Sequence, residues 1–553
     1  ALGKLEGRPL IGVITSIGVR RDASAVAQLS ALLNNSDEQV VDAAARALGD
    51  IGNSASAAAL KTAMLNASKT KLLSLFKGLF RTAEALADAG QRDQAAAIYE
   101  QLRGFTSAPH QVCSGALRGA ILTRKDGLSL LKESLHSDDY LIFSAAVKTT
   151  MEMQDSEVTE ILTSALDKLP LDNKILVIQT LGARGDDKAL PTLASMSRNA
   201  PKAVRIAAIK ATPMIKGATG LSLVGLLDDS DRDISQEAQE NFAAIQHPSV
   251  DQTIIKMFQS NDVKMRLTAL ELMNRRRMTG CVPDILKATK DSNEQIRLTS
   301  IRMMGNLGNS KQLPSLLDLL LGTESPQELN EIRQAIGDLC TKDGDPQSSV
   351  GQLVQTLQKA KPSQKIELLR IIGGIGGAEA LKAVRSAVDD ADTQVHVTAI
   401  RALSTWKTPD AAPYLLELAK AADNNADRLL CLRGYLGIAG IGNLPADQRL
   451  SMCQQAKEIV KQDQEKTMLL AALGKIDSLA AIKLITPYLS EQAIRLEAAT
   501  ASLGVAERLL NGKNTEVAKI LIAELQKVCD TPLNDSLAKR AQDLLAKAKS
   551  IAG

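Results

Sequence analysis

The chain has 553 residues, of which 45% are hydrophobic but only 2% aromatic, and its 66 basic and 63 acidic residues leave a formal net charge of +3. A core of alanine and aliphatic residues argues against a large pocket lined by aromatic side chains, and the balanced charge argues against nucleic acid as a partner. The sequence contains no run of 18 or more apolar residues, so we expect no membrane span.

The N-terminal residues 1–9 lack the basic-then-apolar pattern of a signal peptide and read like the inside of a repeat. We therefore expect the chain to be a mature or trimmed piece of a longer protein. The cysteines are widely spaced, without the CxxC or CxxCH patterns of a zinc site or an attached haem, and we expect most of them to be small buried residues. They are Cys113, Cys281, Cys340, Cys431, Cys453 and Cys529.

The first clear structural unit spans residues 22–52. Apolar residues fall on one helical face over residues 25–33, residues 34–37 break the pattern, and residues 40–52 form a second amphipathic helix that ends in glycine. This pattern predicts a helix-turn-helix hairpin. The same plan recurs at Leu221–Ile245, Val250–Met273, Val282–Leu307 and Ala378–Trp406.

Between Lys69 and Thr123 the pattern changes. Residues 86–99 have the small-residue spacing and the helix-terminating glycine of a tetratricopeptide-like hairpin. Two looser stretches, Gly104–Gln111 and Thr341–Gly351, are predicted to be loops between repeats, because helical periodicity resumes on both sides of each.

A short sequence motif also recurs at a nearly constant spacing. Residues 201–205, 231–235, 262–266 and 293–297 each place Val, Ile or Met fourth and a basic or polar residue fifth, and their first residues are 30, 31 and 31 positions apart. Such a period is typical of stacked repeats, and no long stretch alternates apolar and polar residues as a strand does. We predict an all-α fold, a right-handed superhelical α-solenoid of helical hairpins that is continuous over residues 1–553.

Two segments of this region resemble ligand-binding loops. Asp229, Asp231, Asp233 and Glu240 match the acidic positions of a calcium-binding loop, but Ile234 stands where that loop needs glycine. We therefore interpret these acidic residues as helix N-caps in a recurring turn, with calcium as the alternative. The glycines of residues 373–377 could suggest a phosphate loop, but they follow a predicted helix, so we interpret them as helix-terminating residues.

No catalytic or metal site is predicted. His110, His136, His247 and His396 lack partners at metal-ligand spacing, and His396 occupies the repeat position that holds arginine elsewhere. The sequence has neither the Gly-x-Ser-x-Gly nor the HExxH motif of hydrolases, and no cofactor is expected. We expect the only tryptophan, Trp406, to pack in the core.

Basic residues recur in the turns that follow second helices, and in a stack of repeats equivalent turns line up along one edge. They could form a positive ridge for an acidic protein, a sulfated glycan or phosphate groups, or they could be ordinary solvated turn charges. The residues of this predicted basic ridge are Arg20, Arg21, Arg184, Arg275, Arg276 and Arg277.

The recurring Asp–Val–Arg slot and the Ala-Ala-x-x-Leu-Gly helix ending resemble HEAT repeats, a member of the broader class that includes armadillo and tetratricopeptide repeats. On this resemblance residues 1–65 and 124–553 are HEAT-like, and residues 69–123 are tetratricopeptide-like. The C-terminal phrases, residues 399–406, 432–435, 464–474 and 497–499, are similar to the HEAT region of large secreted bacterial proteins. In those proteins the solenoid is joined to a keto-disaccharide-hydrolase-like domain or to a c-type cytochrome domain.

This resemblance implies a non-catalytic scaffold in an extracytoplasmic, periplasmic or secreted, bacterial assembly. The expected partners are proteins, with an acidic or sulfated glycan as a further candidate, and the oligomeric state is left open. Two alternatives remain: a HEAT-type enzyme similar to DNA-glycosylase-like or bilin-lyase-like solenoids, and a cytosolic adaptor of the same shape.

Overall fold

A computed structural model describes residues 2–105, 108–342, 344–441 and 444–553. The described residues contain helices, turns and short 3-10 segments, and no strand occurs among them. The chain separates into two compact units, Ala1–Arg276 and Arg277–Gly553. The all-α prediction is confirmed.

The first unit consists of one leading helix followed by antiparallel helical hairpins. Its helices are α1 (Gly7–Val19), α2 (Val26–Leu32), α3 (Glu38–Ile51), α4 (Ser54–Leu65), α5 (Lys69–Asp88), α6 (Arg92–Arg103), α7 (His110–Thr123), α8 (Gly127–Ser134), α9 (Tyr140–Thr149), α10 (Ser156–Ala165), α11 (Leu171–Arg184), α12 (Leu190–Asn199), α13 (Lys202–Ala211), α14 (Leu221–Val224), α15 (Arg232–Ala244), α16 (Pro248–Phe258) and α17 (Val263–Arg275).

The second unit continues the same plan, with an even-numbered first helix and an odd-numbered second helix in each hairpin. Its helices are α18 (Val282–Ala288), α19 (Glu294–Leu307), α20 (Leu313–Leu321), α21 (Pro326–Lys342), α22 (Val350–Leu357), α23 (Pro362–Ile375), α24 (Ala378–Ser386), α25 (Thr393–Ser404), α26 (Ala412–Ala421), α27 (Asn425–Ala439), α28 (Ala446–Lys457), α29 (Asp463–Leu473), α30 (Leu479–Ile485), α31 (Arg495–Asn511), α32 (Thr515–Cys529) and α33 (Asp535–Ala552).

Within each unit, every odd-numbered helix packs against the next odd-numbered helix, and we call this layer the odd row. Small residues make the close approach possible. A Cβ atom placed on Gly182 of α11 would lie 2.9 Å from the Cβ of Ala211 of α13, and one on Gly305 of α19 would lie 3.0 Å from the Cα of Ala335 of α21. Only glycine fits such contacts without moving the backbone.

Aspartate side chains start many helices of the odd row. Asp37, Asp139, Asp231, Asp262 and Asp392 each accept a hydrogen bond from the backbone N–H two residues ahead, at 2.8–3.0 Å. They satisfy one of the N–H groups that a helix leaves unpaired at its start, and their charge is favourable at the positive end of the helix dipole. The prediction that the acidic turn residues cap helices is confirmed.

The two predicted loops are shorter than the sequence suggested. Helix α7 already begins at His110, because Pro109 provides an N-cap with extended backbone and proline is tolerated at a helix start. Helix α21 extends to Lys342, and a 3-10 turn at Pro346–Ser349 leads into α22. Thr106, Ser107 and Asp343 of these stretches lie outside the described residues.

Buried positions confirm two further expectations. Trp406 is 5% exposed and packs in the core, and Cys281, Cys340, Cys431 and Cys453 are buried. Burial raises the pKa of the Cys431 thiol and that of the Cys453 thiol to about 12, which keeps both protonated and unreactive near neutral pH. Among the described helices, none is both long enough and apolar enough to cross a bilayer.

Candidate binding surface

A ladder of ion pairs runs along the N-terminal ends of the odd row. In six helices of the odd row a basic fourth residue contacts a carboxylate of the next hairpin or its turn. The pairs are Arg205–Asp229 (2.5 Å), Arg297–Glu328 (2.9 Å), Lys365–Asp390 (2.6 Å), His396–Asp427 (3.0 Å), Arg428–Glu465 (2.6 Å) and Lys466–Glu491 (2.5 Å). The repeated basic position seen in the sequence therefore joins neighbouring repeats.

His396 performs both tasks of an arginine in this ladder. Arg205 donates to the carbonyl of Ser197 at 2.9 Å as well as to Asp229, and the His396 ring contacts the carbonyl of Val388 at 2.5 Å as well as Asp427. The hydrogen bond to the Asp427 carboxylate, and then that to Val388, raise the pKa of His396 above its ordinary value. Its interpretation as a repeat position, and not a metal ligand, agrees with this geometry.

The acidic cluster at residues 229–233 is already neutralised by basic side chains. Arg205 binds Asp229, while the ammonium group of Lys202 lies 2.8 Å from Asp231 and 2.6 Å from Asp233. The backbone N–H of Asp231, together with the Arg205 guanidinium, holds the pKa of Asp229 below its ordinary value. Cationic side chains thus occupy the places that calcium would take, and the capping interpretation is the one that the geometry supports.

The glycines at residues 373–377 end a helix, as expected. Gly376 and Gly377 have φ angles of 75° and 89°, which favour glycine, and the Gln347 amide donates to the carbonyl of Gly376 at 3.0 Å. Gly373 lies inside α23, where a Cβ atom would come 2.9 Å from the Cβ of Ala402. These residues contact protein groups and do not form a strand-to-helix phosphate cradle.

Two residues of the predicted basic ridge bind main-chain groups of the preceding hairpin. Arg184 donates to the carbonyl of Thr150 and, at 2.7 Å, to that of Met153. Arg276 donates to the carbonyls of Ala243 and Ile245 at 2.6 and 2.9 Å. Carbonyls at the end of a helix lack partners within it, so these guanidinium groups satisfy the previous repeat.

The other four residues of the predicted ridge are more open to solvent. Arg20 and Arg21 are exposed at the end of α1, and Arg275 lies 3.8 Å from Glu240. Arg277 reaches the carbonyl of Asn306 at 3.4 Å and belongs to the second unit. Arg20, Arg21, Arg184 and Arg275 stand at the ends of three separate helices of the first unit, α1, α11 and α17, and do not form one cluster. That the exposed members bind an acidic ligand stays a prediction.

A different row of arginines lies on the solvent-exposed face of the odd row in the second unit, and we call this solvent-exposed face the outer face. Arg370, Arg401 and Arg433 are each the ninth residue of their helices, α23, α25 and α27, and all three are exposed. The fifth residues of the same helices, Ile366, Val397 and Leu429, are partly exposed. Because residues four apart share one face of a helix, an aliphatic row runs beside the arginine row.

In two earlier helices of the odd row, α13 and α19, the ninth residue is basic and pairs with a carboxylate of the next odd-numbered helix. Lys210 of α13 lies 2.9 Å from Glu237, and Arg302 of α19 lies 3.2 Å from Glu331. Each of these glutamates is the sixth residue of the next odd-numbered helix. The odd row thus has a second set of ion pairs, between ninth and sixth residues.

An open groove of about 490 Å³ continues the outer face of the odd row near the C-terminus. It lies between α29, α31 and α33, and its lining includes the small residues Ala471, Gly474 and Ala501 and the basic residues Lys475 and Arg508. Leu496, which also lines it, is 44% exposed. Small residues in the lining allow another molecule to approach the helices closely.

A protein-family model for HEAT repeats matches three stretches of the sequence, residues 10–73, 250–337 and 350–433. The chain contains HEAT repeats. The third HEAT stretch includes Arg370, Arg401 and Arg433. No curated protein matches this sequence.

Solved structures with a similar arrangement include karyopherins. A crystal structure of importin β is 13% identical with a TM-score of 0.35, and the alignment covers 98% of this chain and 87% of that one. A structure of Kap95p with RanGDP is also 13% identical with a TM-score of 0.35, covering 99% and 88% of the two chains. A Kap121p mutant is 11% identical with a TM-score of 0.37, covering 100% and 72%. Likeness at these TM-scores says nothing about the partners of this chain.

Proposed function

We propose that this protein is a non-catalytic HEAT-repeat scaffold that holds a protein partner on the outer face of its odd row. The observation that carries the proposal is the surface of α23, α25 and α27. There an exposed arginine row runs beside a partly exposed aliphatic row over three successive helices of the odd row. Aliphatic and arginine side chains side by side are suited to binding a protein surface.

The recurring polar groups elsewhere support a structural function of the repeats. The fourth-residue ladder and the aspartate caps bind groups of the chain itself, and Arg184 and Arg276 bind carbonyls of preceding hairpins. Titratable side chains in these positions stabilise the stacking of repeats. The outer face of the odd row offers groups that another molecule can reach.

Site-specific photocrosslinking tests this proposal. A benzophenone amino acid replaces Thr398, which follows Val397 on α25 and lies about one helical turn before Arg401. In a matched control it replaces Lys382, which is exposed on α24. We expect Thr398 to crosslink a discrete protein in the native host and Lys382 to crosslink much less of it. The proposed scaffold function is contradicted if both positions label the protein equally. It is also contradicted if the purified folded chain turns over keto-sugar or glycoside substrates.

We further propose that the scaffold acts in an extracytoplasmic bacterial assembly, where a fused or bound domain carries out sugar or redox chemistry. This proposal is supported by the resemblance of residues 399–406, 432–435, 464–474 and 497–499 to secreted proteins. The test is cell fractionation of the native host with an antibody against this chain. Recovery in the cytosolic fraction alone contradicts the extracytoplasmic assignment and favours a cytosolic adaptor.

A further inference from the structure

We propose that the arginine row Arg370, Arg401 and Arg433 binds an extended segment of a partner protein that carries one acidic and one aliphatic residue in every three. This inference rests on the proposed scaffold function and names the chemistry of the partner. It depends on three features of the second unit: the missing carboxylates, the spacing of the helices and the aliphatic row.

The carboxylates that neutralise ninth residues elsewhere are absent here. The sixth residues of α25, α27 and α29 are Thr398, Leu430 and Met468, where α15 and α21 have glutamate. Within the part of the chain that the structure describes, no carboxylate lies within ion-pair distance of Arg401 or Arg433. Two guanidinium groups on adjacent helices therefore face solvent without a counter-charge.

Arg370 adds to this positive charge. Its guanidinium lies 2.5 Å from Glu367 of the same helix, but Arg333 also contacts Glu367, at 2.9 Å. One carboxylate thus serves two arginines, and one positive charge is left over. The three arginines therefore carry a net positive charge, whereas Lys210 and Arg302 at the same helix position are paired with glutamates.

The spacing of the row suits an extended peptide. Packed helices lie about 8–10 Å apart, so neighbouring arginines of the row are separated by roughly that distance. A chain in the polyproline II conformation advances about 3.1 Å per residue with three residues per turn, so carboxylates three residues apart lie on one side, roughly 9 Å apart, and match successive arginines. Arginine binds carboxylates through two parallel hydrogen bonds, which adds geometric selectivity to the attraction of charge.

The aliphatic row favours a peptide over a nucleic acid. Ile366, Val397 and Leu429 lie one helical turn from the arginines and are partly exposed. Single-stranded nucleic acid is bound by basic grooves with aromatic platforms for its bases, whereas this face presents aliphatic side chains. A polyproline II peptide with one acidic and one apolar residue in every three can contact both rows at once.

Fluorescence anisotropy with the full chain and a labelled peptide tests the inference. The peptide consists of about six Glu-Leu-Ser repeats, which in the polyproline II conformation place a carboxylate every ~9 Å along one side. Comparison ligands are a Glu-Ser-Ser peptide of equal length, a single-stranded oligonucleotide and a heparin-derived oligosaccharide. Binding is measured at low and at physiological salt, because an exposed ionic contact weakens as salt rises.

The informative variant is Arg401→Gln/Arg433→Gln, and Lys382→Gln/Lys420→Gln on the even-numbered helices is the matched control with the same change of net charge. We expect the arginine variant to bind the Glu-Leu-Ser peptide about five- to tenfold more weakly, since each exposed charge contact contributes a small factor. The lysine control should stay within about twofold of the wild type. Arg401→Lys/Arg433→Lys should recover part of the affinity, which separates loss of charge from loss of fold.

Three outcomes overturn the inference: no binding of the Glu-Leu-Ser peptide, equal binding by the arginine variant, or equal binding of the Glu-Ser-Ser peptide. Tighter binding of the oligonucleotide or the heparin fragment, lost in the same variant, also overturns it and assigns the arginine row to a polyanion. If Thr398 crosslinks a protein while the acidic peptide fails to bind, the scaffold stands and only the partner chemistry is wrong.

Discussion

At the scale of single residues, the same side-chain position serves different ends in different repeats. The fourth residue of an odd-row helix is arginine in α13, lysine in α23 and histidine in α25, and all three join neighbouring hairpins. Of these side chains only histidine changes its charge near neutral pH. His396 therefore makes one contact of the ladder sensitive to pH.

We expect the His396 contact to weaken as pH rises. Asp427, the Val388 carbonyl and the nearby Asp389 favour the charged ring, while the Asn424 amide binds Asp427 and the flanking pairs of Lys365 and Arg428 are already neutralised. Since the pKa of His396 is raised in the folded protein, its stabilisation is complete below the unfolded value of about 6.5 and is lost as pH passes the folded value.

Hydrogen exchange of peptides from α25 and α27, corrected for the intrinsic rate at each pH, measures this effect. We expect protection at the starts of both helices to fall in the wild type as the pH rises above about 6.5 and passes the folded pKa of His396, and to stay constant in His396→Arg, whose charge persists. His396→Gln should lower the local stability by about 1 kcal/mol at pH 6 and change little at high pH. An identical pH profile in wild type and His396→Arg contradicts the assignment.

Several residue assignments could be made from the sequence, because they depend on local pattern. Asp231 caps a helix because it precedes an amphipathic run, and His396 falls on a position that the period identifies. The contacts of Arg184 and Arg276 could not be predicted, since they join a side chain to carbonyls of the preceding hairpin. Arg401 and Arg433 are separated in the sequence by nearly one repeat period. That they lack a carboxylate partner could not be predicted, because it depends on which sixth residues of the next helices lie beside them.

At the scale of the helix, glycine and alanine set the distance between members of the odd row. Gly434 is buried in α27, and a Cβ atom there would lie 2.6 Å from the Cα of Ser404 in α25. Gly437 lies one turn later on the same helix, and a Cβ atom there has nothing within 4 Å. We therefore expect substitutions at these two glycines to have opposite effects on stability.

We expect Gly434→Ala to destabilise the second unit by about 1–2 kcal/mol, because forced separation of α25 and α27 outweighs the better helix propensity of alanine. The matched variant Gly437→Ala should stabilise it by up to about 1 kcal/mol. Urea denaturation followed by circular dichroism compares the two. A stabilising Gly434→Ala would show that the helices are not in close contact.

The helical hairpins themselves were predictable because each contains two amphipathic segments separated by a polar turn. The ends of the helices were harder to predict. Helix α7 begins inside a stretch whose proline and glycine residues indicated a loop, although Pro109 is a suitable N-cap. The C-terminal extent of α21 was missed for a similar reason. Residues 341–351 contain glycine, proline and aspartates, and helix α21 nevertheless continues to Lys342.

At the scale of the whole molecule, contacts divide the chain into units of nearly equal length, Ala1–Arg276 and Arg277–Gly553. Repeat proteins derive their stability from contacts within each repeat and with its neighbours, so a set of complete hairpins can fold alone. The division falls between α17 and α18, which are the second helix of one hairpin and the first helix of the next.

We therefore expect residues 277–553, expressed alone, to be helical and to unfold cooperatively. A fragment that begins at residue 290 removes α18 and exposes the face of α19 that packs on it, so this control should be less stable. Circular dichroism melting curves distinguish the two fragments. If the 277–553 fragment lacks a cooperative transition, its hairpins are not self-sufficient.

The pairing of ninth and sixth residues makes the surface charge of each hairpin depend on the hairpin that follows it. Duplication or deletion of one hairpin between α23 and α27 would lengthen or shorten the arginine row by one helix width, while the packing rules stay the same. A single recombination event that changes the number of repeats can therefore alter the length of the ligand that the protein recognises, without any substitution at the binding residues.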